Sequence, residues 1–171
     1  GGADTASISI DDLVVPAVVI DISEKAETNP NTVVEPDDVV AFEKEHGTIP
    51  AGSAVLMLSG WARRKSSALS YTGAESTTDL KFPGFGVEAA RMLVDRGVVG
   101  LGVDTLGIDP GDKPDFPVHR TVSHPAGLWH LENLINLEQL PATGGVIVVG
   151  VPRIAGGTGF PTRVFAFVPK Q

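Results

Sequence analysis

Residues 87–103, VEAARMLVDRGVVGLGV, predict a helix that leads directly into a buried strand. Apolar residues recur at helical spacing over Val87–Arg96, and Gly97 is a typical helix stop. Val98–Val103 is then a short apolar run of strand length. Because Ala54–Leu58 upstream is also predicted as a strand, the order strand, helix, strand indicates the α/β class.

The flanking segments extend this pattern. Leu13–Ile22 is rich in Val and Ile and is predicted as a buried strand. Pro36–Glu45 is predicted as a helix, because proline opens it and acidic residues follow in its first turn. Two late strands are expected at Val146–Val151 and Arg163–Val168. Strands outnumber helices, so we expect one α/β domain with a mixed sheet over residues 1–171.

Composition limits the classes of partner. The chain has 171 residues with 42% hydrophobic and 20% charged, which is typical of one globular domain. A formal net charge of −8 disfavours nucleic acid, because an acidic surface repels phosphate. No apolar run reaches the roughly 18 residues of a membrane span, and no signal peptide is recognisable. We therefore expect a cytoplasmic protein with no membrane partner.

Two stretches are predicted as irregular loops, Gly60–Pro83 and Asp104–Phe116. In the first, Trp61 and Tyr71 either line an aromatic substrate pocket or pin the loop to the core. The basic residues 63–65 either meet a substrate carboxylate or are ordinary solvated surface. Both alternatives stay open at this point.

The glycine clusters do not predict a nucleotide site. Gly100 and Gly102 lie inside a predicted strand, and a loop follows instead of the helix N-terminus that holds a pyrophosphate. The cluster at 156–159 precedes a strand and favours a tight hairpin turn. The chain also has no cysteine, which excludes disulfides, thiolate nucleophiles and cysteine zinc sites.

The histidines are candidates for metal ligands. His119, His124 and His130 lie close together with Glu132 just behind, and imidazole and carboxylate groups bind zinc, manganese and iron. On one straight helix His119 and Glu132 would be about 20 Å apart, too far to share a metal. Pro125 disfavours helical geometry, so we expect a bend there that brings both side chains into a cleft. Glu132 should then end a short strand or begin a helix.

Seven stretches match one family in order. They are Val15–Asp21, Phe82–Phe85, Gly102–Thr105, His119–Arg120, Leu131–Leu134, Asn136–Leu140 and the Gly-Gly-x-Gly-x-Pro-x-Arg turn at 156–163. Together they resemble the cyclase family, which includes bacterial kynurenine formamidases, isatin hydrolases and related metal-dependent hydrolases. The resemblance covers nearly the whole chain.

The resemblance implies a swivelling β/β/α-type fold, a homodimer or homotetramer, and hydrolysis of a small-molecule amide or cyclic amide at a divalent metal, zinc or manganese. It also implies that His119 and Glu132 are metal ligands, with His124 as the rival of His119. Asp104 matches a segment near the family's pocket and joins Trp61 and Tyr71 as a candidate substrate-binding residue. The family's strongest motif, His-x-Gly-Thr-His-x-Asp-x-Pro-x-His, supplies most metal ligands and is absent here.

Two hypotheses follow. The first is a metal-dependent amidohydrolase similar to kynurenine formamidase, or the C-terminal portion of one, in which a histidine protonates the leaving nitrogen. The second is a non-catalytic protein that keeps the fold. The chain starts with Gly1, where the missing motif should end, which favours the first hypothesis with an N-terminal segment missing. Because only His119 and Glu132 remain as implied ligands, we expect weak metal binding.

Overall fold

Eight strands and five α-helices form in the described residues, 3–74 and 78–170, of the computed structural model. In chain order they are β1 (Val14–Asp21), α1 (Ser23–Thr28), β2 (Val33–Val34), α2 (Pro36–His46), β3 (Ala54–Leu58), α3 (Ala68–Thr72), β4 (Gly84–Phe85), α4 (Val87–Asp95), β5 (Gly100–Val103), α5 (His124–Ala126), β6 (Trp129–Leu131), β7 (Gly145–Gly150) and β8 (Arg163–Phe167). A π-helical turn, His119–Ser123, runs directly into α5. Every strand and helix predicted individually above is present, with its ends shifted by no more than about two residues.

Six strands form one mixed sheet in the order β6-β5-β3-β1-β7-β8. The first four in that order are parallel, β7 is antiparallel to β1, and β8 is antiparallel to β7. The short strands β2 and β4 pair separately and in parallel. Helix α4 connects the neighbouring parallel strands β3 and β5, which is the predicted strand–helix–strand unit. The expected α/β class with a mixed sheet in a single domain is confirmed.

The loop prediction for Gly60–Pro83 is wrong in part. This segment contains a 3₁₀ helix, Trp61–Arg64, and helix α3, whereas residues 75–77 lie outside the described part of the chain. The hydroxyl of Ser67 accepts a hydrogen bond from the Ser70 N–H and caps α3. The polar composition of the segment concealed this local helix signal. The second predicted loop, Asp104–Phe116, is irregular as expected.

Both faces of the central strands are buried, and they face two separate cores. Along β1, Val18 and Ile20 pack in the core that contains side chains of α2 and α4, here called the helix-side core. The alternate residues Ala17 and Val19 pack in a second core on the opposite face. This two-sided burial explains why β1 is a continuous apolar run.

Close packing between β5 and β6 depends on Gly100. A Cβ atom at this position would lie 2.4 Å from the indole ring of Trp129, its partner in the parallel register. The glycines of β5 therefore serve strand packing, in agreement with the rejection of a nucleotide site. The same register places His130 opposite Leu101, which lies in the helix-side core.

Among the described residues no helix combines the length and hydropathy that crossing a bilayer requires. The outer strand β8 is largely exposed, including the side chains of Phe165 and Phe167.

Candidate metal centre

A π-helical turn aligns His119 with His124. The N–H of His124 donates to the carbonyl of His119, five residues back. In a regular α-helix two residues with this separation point about 140° apart. Here their ring centroids are 5.3 Å apart. The π turn therefore brings both imidazoles to one side of the helical segment.

The expected bend at Pro125 occurs two residues later. The chain remains helical through Pro125, because a proline is tolerated in the first turn of α5. It reverses at Gly127, whose φ of 75° is a left-handed conformation that glycine adopts without strain. The chain then enters β6. The chain therefore reverses before β6 as expected, but the prediction that it bends at Pro125 is wrong, because the bend lies at Gly127.

A buried carboxylate, Asp109, fixes the orientation of His119. Its Oδ1 accepts the N–H of Val118 at 2.6 Å, and its Oδ2 accepts the N–H of His119 at 3.1 Å. The same Oδ2 lies 2.6 Å from Nδ1 of the His119 ring. Because a carboxylate only accepts hydrogen bonds, Nδ1 carries the proton in this contact. The other ring nitrogen, Nε2, is thereby turned away from Asp109.

Strand β6 positions His130 and Glu132. The Nε2 atom of His130 is buried and has no hydrogen-bond partner within residues 3–74 and 78–170. Glu132 follows the last residue of β6, and its Oε1 lies 3.6 Å from Nε2 of His119. The structure therefore brings His119 and Glu132 together, with Glu132 at the end of a short strand as expected. Their role as metal ligands stays a prediction.

Three imidazoles meet beside Glu132, and we call His119, His124 and His130 the histidine cluster. The rings of His119 and His130 have centroids 4.7 Å apart, and those of His124 and His130 are 5.4 Å apart. One nitrogen from each ring lies within 4.8 Å of the others. An open cleft of about 1880 Å³ borders all three rings and Glu132. His124 is exposed to this cleft, whereas the other two rings are partly buried.

The surroundings shift the pKa values of His119 and His130 in opposite directions. Burial lowers the pKa of His119, but its contacts with Asp109 and Glu132 outweigh that effect and raise the pKa to about 9. Burial, reinforced by the neighbouring His119 and His124, lowers the pKa of His130 to about 3. The His130 ring is therefore neutral at physiological pH, which is the form that binds metals.

The residues fit a divalent metal. A buried ring nitrogen without a partner, as in His130, is unfavourable unless another group satisfies it. One nitrogen from each of the three rings lies within 4.8 Å of the others, and Oε1 of Glu132 lies 3.6 Å from Nε2 of His119. A carboxylate behind His119 is the arrangement that commonly orients a ligating histidine. His119, His130 and Glu132 would hold the ion, and His124 lies within reach.

The three candidate substrate-binding residues lie in one network beside the centre. Trp61 is buried, and its Nε1 donates to the carbonyl of Tyr71 at 2.7 Å. The hydroxyl of Tyr71 lies 3.0 Å from the carbonyl of Asp104 and 3.0 Å from Oδ1 of Asn133. Burial, with the charges of Asp104 and Glu132, raises the pKa of Tyr71 to about 12. Trp61 and Tyr71 thus pin the loop to the core, and substrate contact stays a prediction.

Asp104 itself is buried at the end of β5. Its Oδ1 accepts the hydroxyl of Ser59 at 2.5 Å, and its Oδ2 accepts the N–H of Trp61 at 2.9 Å. Burial raises the pKa of the Asp104 carboxyl above its ordinary value, although the hydrogen bonds from Ser59 and from backbone N–H groups oppose this.

The basic stretch divides between two environments. Arg63 and Lys65 border a second, smaller cavity of about 360 Å³ together with Asp104. Arg64 instead lies over the indole of Trp61, 3.8 Å from the ring centroid to its Cζ. Only two of the three cations therefore face a space that a substrate carboxylate can enter.

Sequence reasoning missed Asp109 as a functional residue. It lies ten residues before His119 in a loop that also holds the buried Asp104 and the exposed Asp112 and Asp115, so neither spacing nor composition marks it. The three histidines are neighbours in the sequence, but the family resemblance implies only His119, with His124 as its rival, and Glu132 as ligands. The signal that identifies His130 is its buried ring nitrogen, which has no hydrogen-bond partner among the residues that the structure describes, and this is a property of the folded chain.

Comparison with known proteins shows that this chain is similar to a hydrolase over nearly all of its length. A family model described as "Putative cyclase" matches residues 1–110. Isatin hydrolase of Roseibium aggregatum is 33% identical over 170 residues, covering 97% of this chain. The chain spans only 64% of that relative's length.

Solved structures agree in fold. An isatin hydrolase bound to the product analogue thioisatinate superposes with a TM-score of 0.91 at 33% identity, over 98% of this chain and 64% of the other. A potential metal-dependent hydrolase with cyclase activity gives a TM-score of 0.74 at 25% identity, over 100% of this chain and 73% of the other. With the family model matching well over half of its residues, the chain belongs to the cyclase family.

Proposed function

We propose that this chain forms the metal-binding part of a hydrolase that opens an amide or a cyclic amide, as kynurenine formamidases and isatin hydrolase do. The observation that carries the proposal is that His119, His130 and Glu132 line one cleft, with Glu132 3.6 Å from His119 and with a buried His130 nitrogen that has no hydrogen-bond partner in the described part of the chain. Similarity to isatin hydrolase over 170 residues supports the choice of substrate class.

The reaction adds the OH of water to the amide carbonyl carbon and a proton to the leaving nitrogen. A bound zinc or manganese ion polarises a carbonyl and makes water a better nucleophile near neutral pH. In this chain Asp109 keeps His119 in one orientation, and β6 fixes His130. We propose that the carboxylate of Glu132, which lines the cleft 3.6 Å from Nε2 of His119, holds the ion or accepts a proton.

The aromatic network forms the second part of the proposal. The hydroxyl of Tyr71 is only partly buried and donates to Oδ1 of Asn133, which lines the same cleft as Glu132. We propose that Tyr71 borders the substrate and that Asp104 and Trp61 hold it in place through the loop. Arg63 and Lys65, on the smaller cavity, are placed to attract a carboxylate.

The test is a hydrolysis assay with isatin and with N-formylkynurenine. It is carried out on the protein loaded with zinc or with manganese. We expect turnover that is lost in His119→Ala and Glu132→Gln. His46→Ala is the matched control, because His46 ends α2 and stacks on Phe42. If the metal-loaded protein turns over neither substrate, the hydrolase proposal fails and a non-catalytic protein is favoured.

The homodimer or homotetramer implied by the resemblance also stays a proposal. Phe165 and Phe167 on β8 are 53% and 66% exposed, which is unusual for side chains of this size and fits a surface covered by another chain. Light scattering should give at least two chains per particle. A clean monomer at micromolar concentration would contradict it.

A further inference from the structure

We infer that Asn133 is a further catalytic residue, whose side-chain NH₂ group donates a hydrogen bond to the carbonyl oxygen of the amide being hydrolysed. The inference rests on the proposed hydrolase function and adds to it a residue outside the candidate metal ligands. Asn133 directly follows Glu132 in the chain and lines the same cleft. A hydrogen-bond donor at this place acts on the oxygen where negative charge develops during the reaction.

The backbone of Asn133 adopts a conformation that few side chains tolerate. Its φ is 60°, in the left-handed region. Two hydrogen bonds hold the chain here, because the N–H of Asn133 donates to the carbonyl of Thr105 at 2.8 Å and the N–H of Leu134 donates to the carbonyl of Val103 at 3.0 Å. Glycine adopts this conformation at the lowest cost. Left-handed residues other than glycine are concentrated at sites where a side chain has to be aimed in one direction.

Tyr71 fixes the orientation of the Asn133 amide. The hydroxyl of Tyr71 donates to Oδ1 of Asn133 at 3.0 Å. Tyr71 is itself held, since its carbonyl accepts the indole N–H of Trp61 at 2.7 Å. Because Oδ1 and Nδ2 diverge from one planar carbon, this contact turns Nδ2 away from Tyr71. No residue within 3–74 and 78–170 accepts a hydrogen bond from Nδ2, so its two protons are available to a ligand in the cleft.

A second left-handed asparagine, Asn136, lies three residues further along the chain. Its φ is 64°, and it precedes a 3₁₀ helix, Leu137–Gln139. Its side chain does not cap that helix and forms no hydrogen bond with any residue that the structure describes. Both asparagines are exposed. Of the two, Asn133 alone has its side chain held in one orientation, which is what a group that meets a substrate requires.

The loop after β5 keeps Asn133 beside Glu132. Thr105, which accepts the N–H of Asn133, donates from its hydroxyl to the carbonyl of Gly107 at 3.1 Å. A Cβ atom at Gly107 would lie 3.6 Å from Oε1 of Glu132. The same Oε1 lies 3.6 Å from Nε2 of His119. One short stretch of backbone therefore contacts both the residue that carries the amide and the carboxylate of the candidate metal centre.

The role of the Asn133 amide follows from the movement of electrons in the hydrolysis. When the OH of water bonds to the carbonyl carbon, the second electron pair of the C=O bond moves onto the oxygen. Nδ2 donates to that oxyanion, and the hydrogen bond strengthens because its acceptor is now charged. When the C–N bond breaks, the pair re-forms the C=O bond and the leaving nitrogen takes a proton. Loss of the donor should therefore lower kcat more than it changes KM.

The experiment measures kcat and KM for isatin and for N-formylkynurenine on the metal-loaded protein and on Asn133→Gly, with Asn136→Gly as the matched control. Both changes put glycine at a left-handed position, so the midpoint of urea unfolding should move little. We expect kcat to fall about 100-fold in Asn133→Gly with KM nearly unchanged, since loss of one oxyanion donor costs about 10²–10³-fold. Asn136→Gly should keep the parent kcat.

Asn133→Asp separates a donor from an acceptor. The carboxylate keeps an oxygen for the hydroxyl of Tyr71 but cannot donate. We expect kcat to fall at least as far as in the glycine variant. If the amide instead turned Nδ2 toward Tyr71 and Oδ1 toward the ligand, Asn133→Asp would remain active, and the donor role would be refuted.

The remaining outcomes distinguish this inference from the proposed function. An active parent with an equally active Asn133→Gly would overturn the inference and leave the hydrolase proposal standing. A fall in kcat in both glycine variants, or one that accompanies a lower unfolding midpoint, would show loss of structure and would also refute it. A metal-loaded parent that hydrolyses neither substrate would overturn the proposed function and this inference with it.

Discussion

Asp104 and Asp109 lie in the same loop after β5 and are equally buried, at 1% and 2% exposure, yet they do different things. Asp104 accepts hydrogen bonds from Ser59 and from the N–H of Trp61. These contacts hold the start of the segment that follows β3. Asp109 accepts two backbone N–H groups and the ring of His119. Its contacts start a helix and orient a side chain that faces the cleft.

The difference shows that burial alone does not identify a functional carboxylate. Both aspartates are removed from water and both are satisfied by hydrogen bonds, as buried charges must be. The two aspartates differ in what their hydrogen-bond partners contact in turn. Behind Asp104 lies more of the protein fold, whereas behind Asp109 lies an imidazole whose second nitrogen belongs to the candidate metal centre.

The largest effect should come from Asp104→Ala. It leaves the N–H groups of Ser59 and Trp61 without their carboxylate acceptor in a buried place. We expect a loss of about 3 kcal/mol in the free energy of unfolding, measured by urea denaturation. Zinc affinity of the folded fraction should not change. Asp112→Ala, an exposed carboxylate of the same loop, should leave stability nearly unaltered.

Asp109→Asn should lower zinc affinity more than it lowers stability, which is the reverse of the effect of Asp104→Ala. The amide keeps an oxygen for the backbone N–H of Val118 but presents an NH₂ group to His119, which favours the wrong ring tautomer. We expect zinc affinity to fall by about 10–100-fold, with a smaller loss of stability. Nitrogen NMR of the His119 ring, recorded above its pKa of about 9 so that the ring is neutral, should show the proton moving from Nδ1 to Nε2. An unchanged tautomer with unchanged affinity would remove the distinction between the two aspartates.

Tyr71→Phe tests whether the hydrogen bonds between Tyr71 and Asp104 serve only to stabilise the fold. The change removes a hydroxyl that reaches the carbonyl of Asp104 and the side chain of Asn133. We expect a loss of about 1 kcal/mol in thermal or urea unfolding. If Tyr71 also borders the substrate, KM for isatin should rise while zinc affinity stays constant. A fall in zinc affinity would instead connect this network directly to the metal centre.

The smallest effect is a difference in pH dependence. Because burial raises the folded-state pKa of Asp104, the folded protein binds a proton there more tightly than the unfolded chain does. Its contribution to stability is therefore complete below about pH 3.9 and is lost as pH rises through the folded-state pKa. Asp104→Asn should remove this loss. The difference in unfolding free energy between parent and variant, followed from acid to neutral pH, should thus shift in favour of the variant.

Local patterns in the amino-acid sequence are sufficient to predict the α/β framework. Periodic apolar residues and a glycine stop located α4 and the strand after it, and the continuous Val and Ile run located β1. These signals are local, because each depends on the spacing of neighbours in the chain. The clustering of histidines near Glu132 was visible for the same reason. Two short helices inside a polar loop were missed, since their length leaves little periodicity to detect.

The geometry of the candidate metal centre depends instead on contacts between distant parts of the fold. The π turn that aligns His119 with His124 needs a hydrogen bond across five residues, and nothing in the composition of that segment requires it. The pairing of β6 with β5 places His130, and the approach of Asp109 to His119 joins two segments ten residues apart. These features depend on strand register and on burial, which the packing of the whole chain sets and which no local pattern encodes.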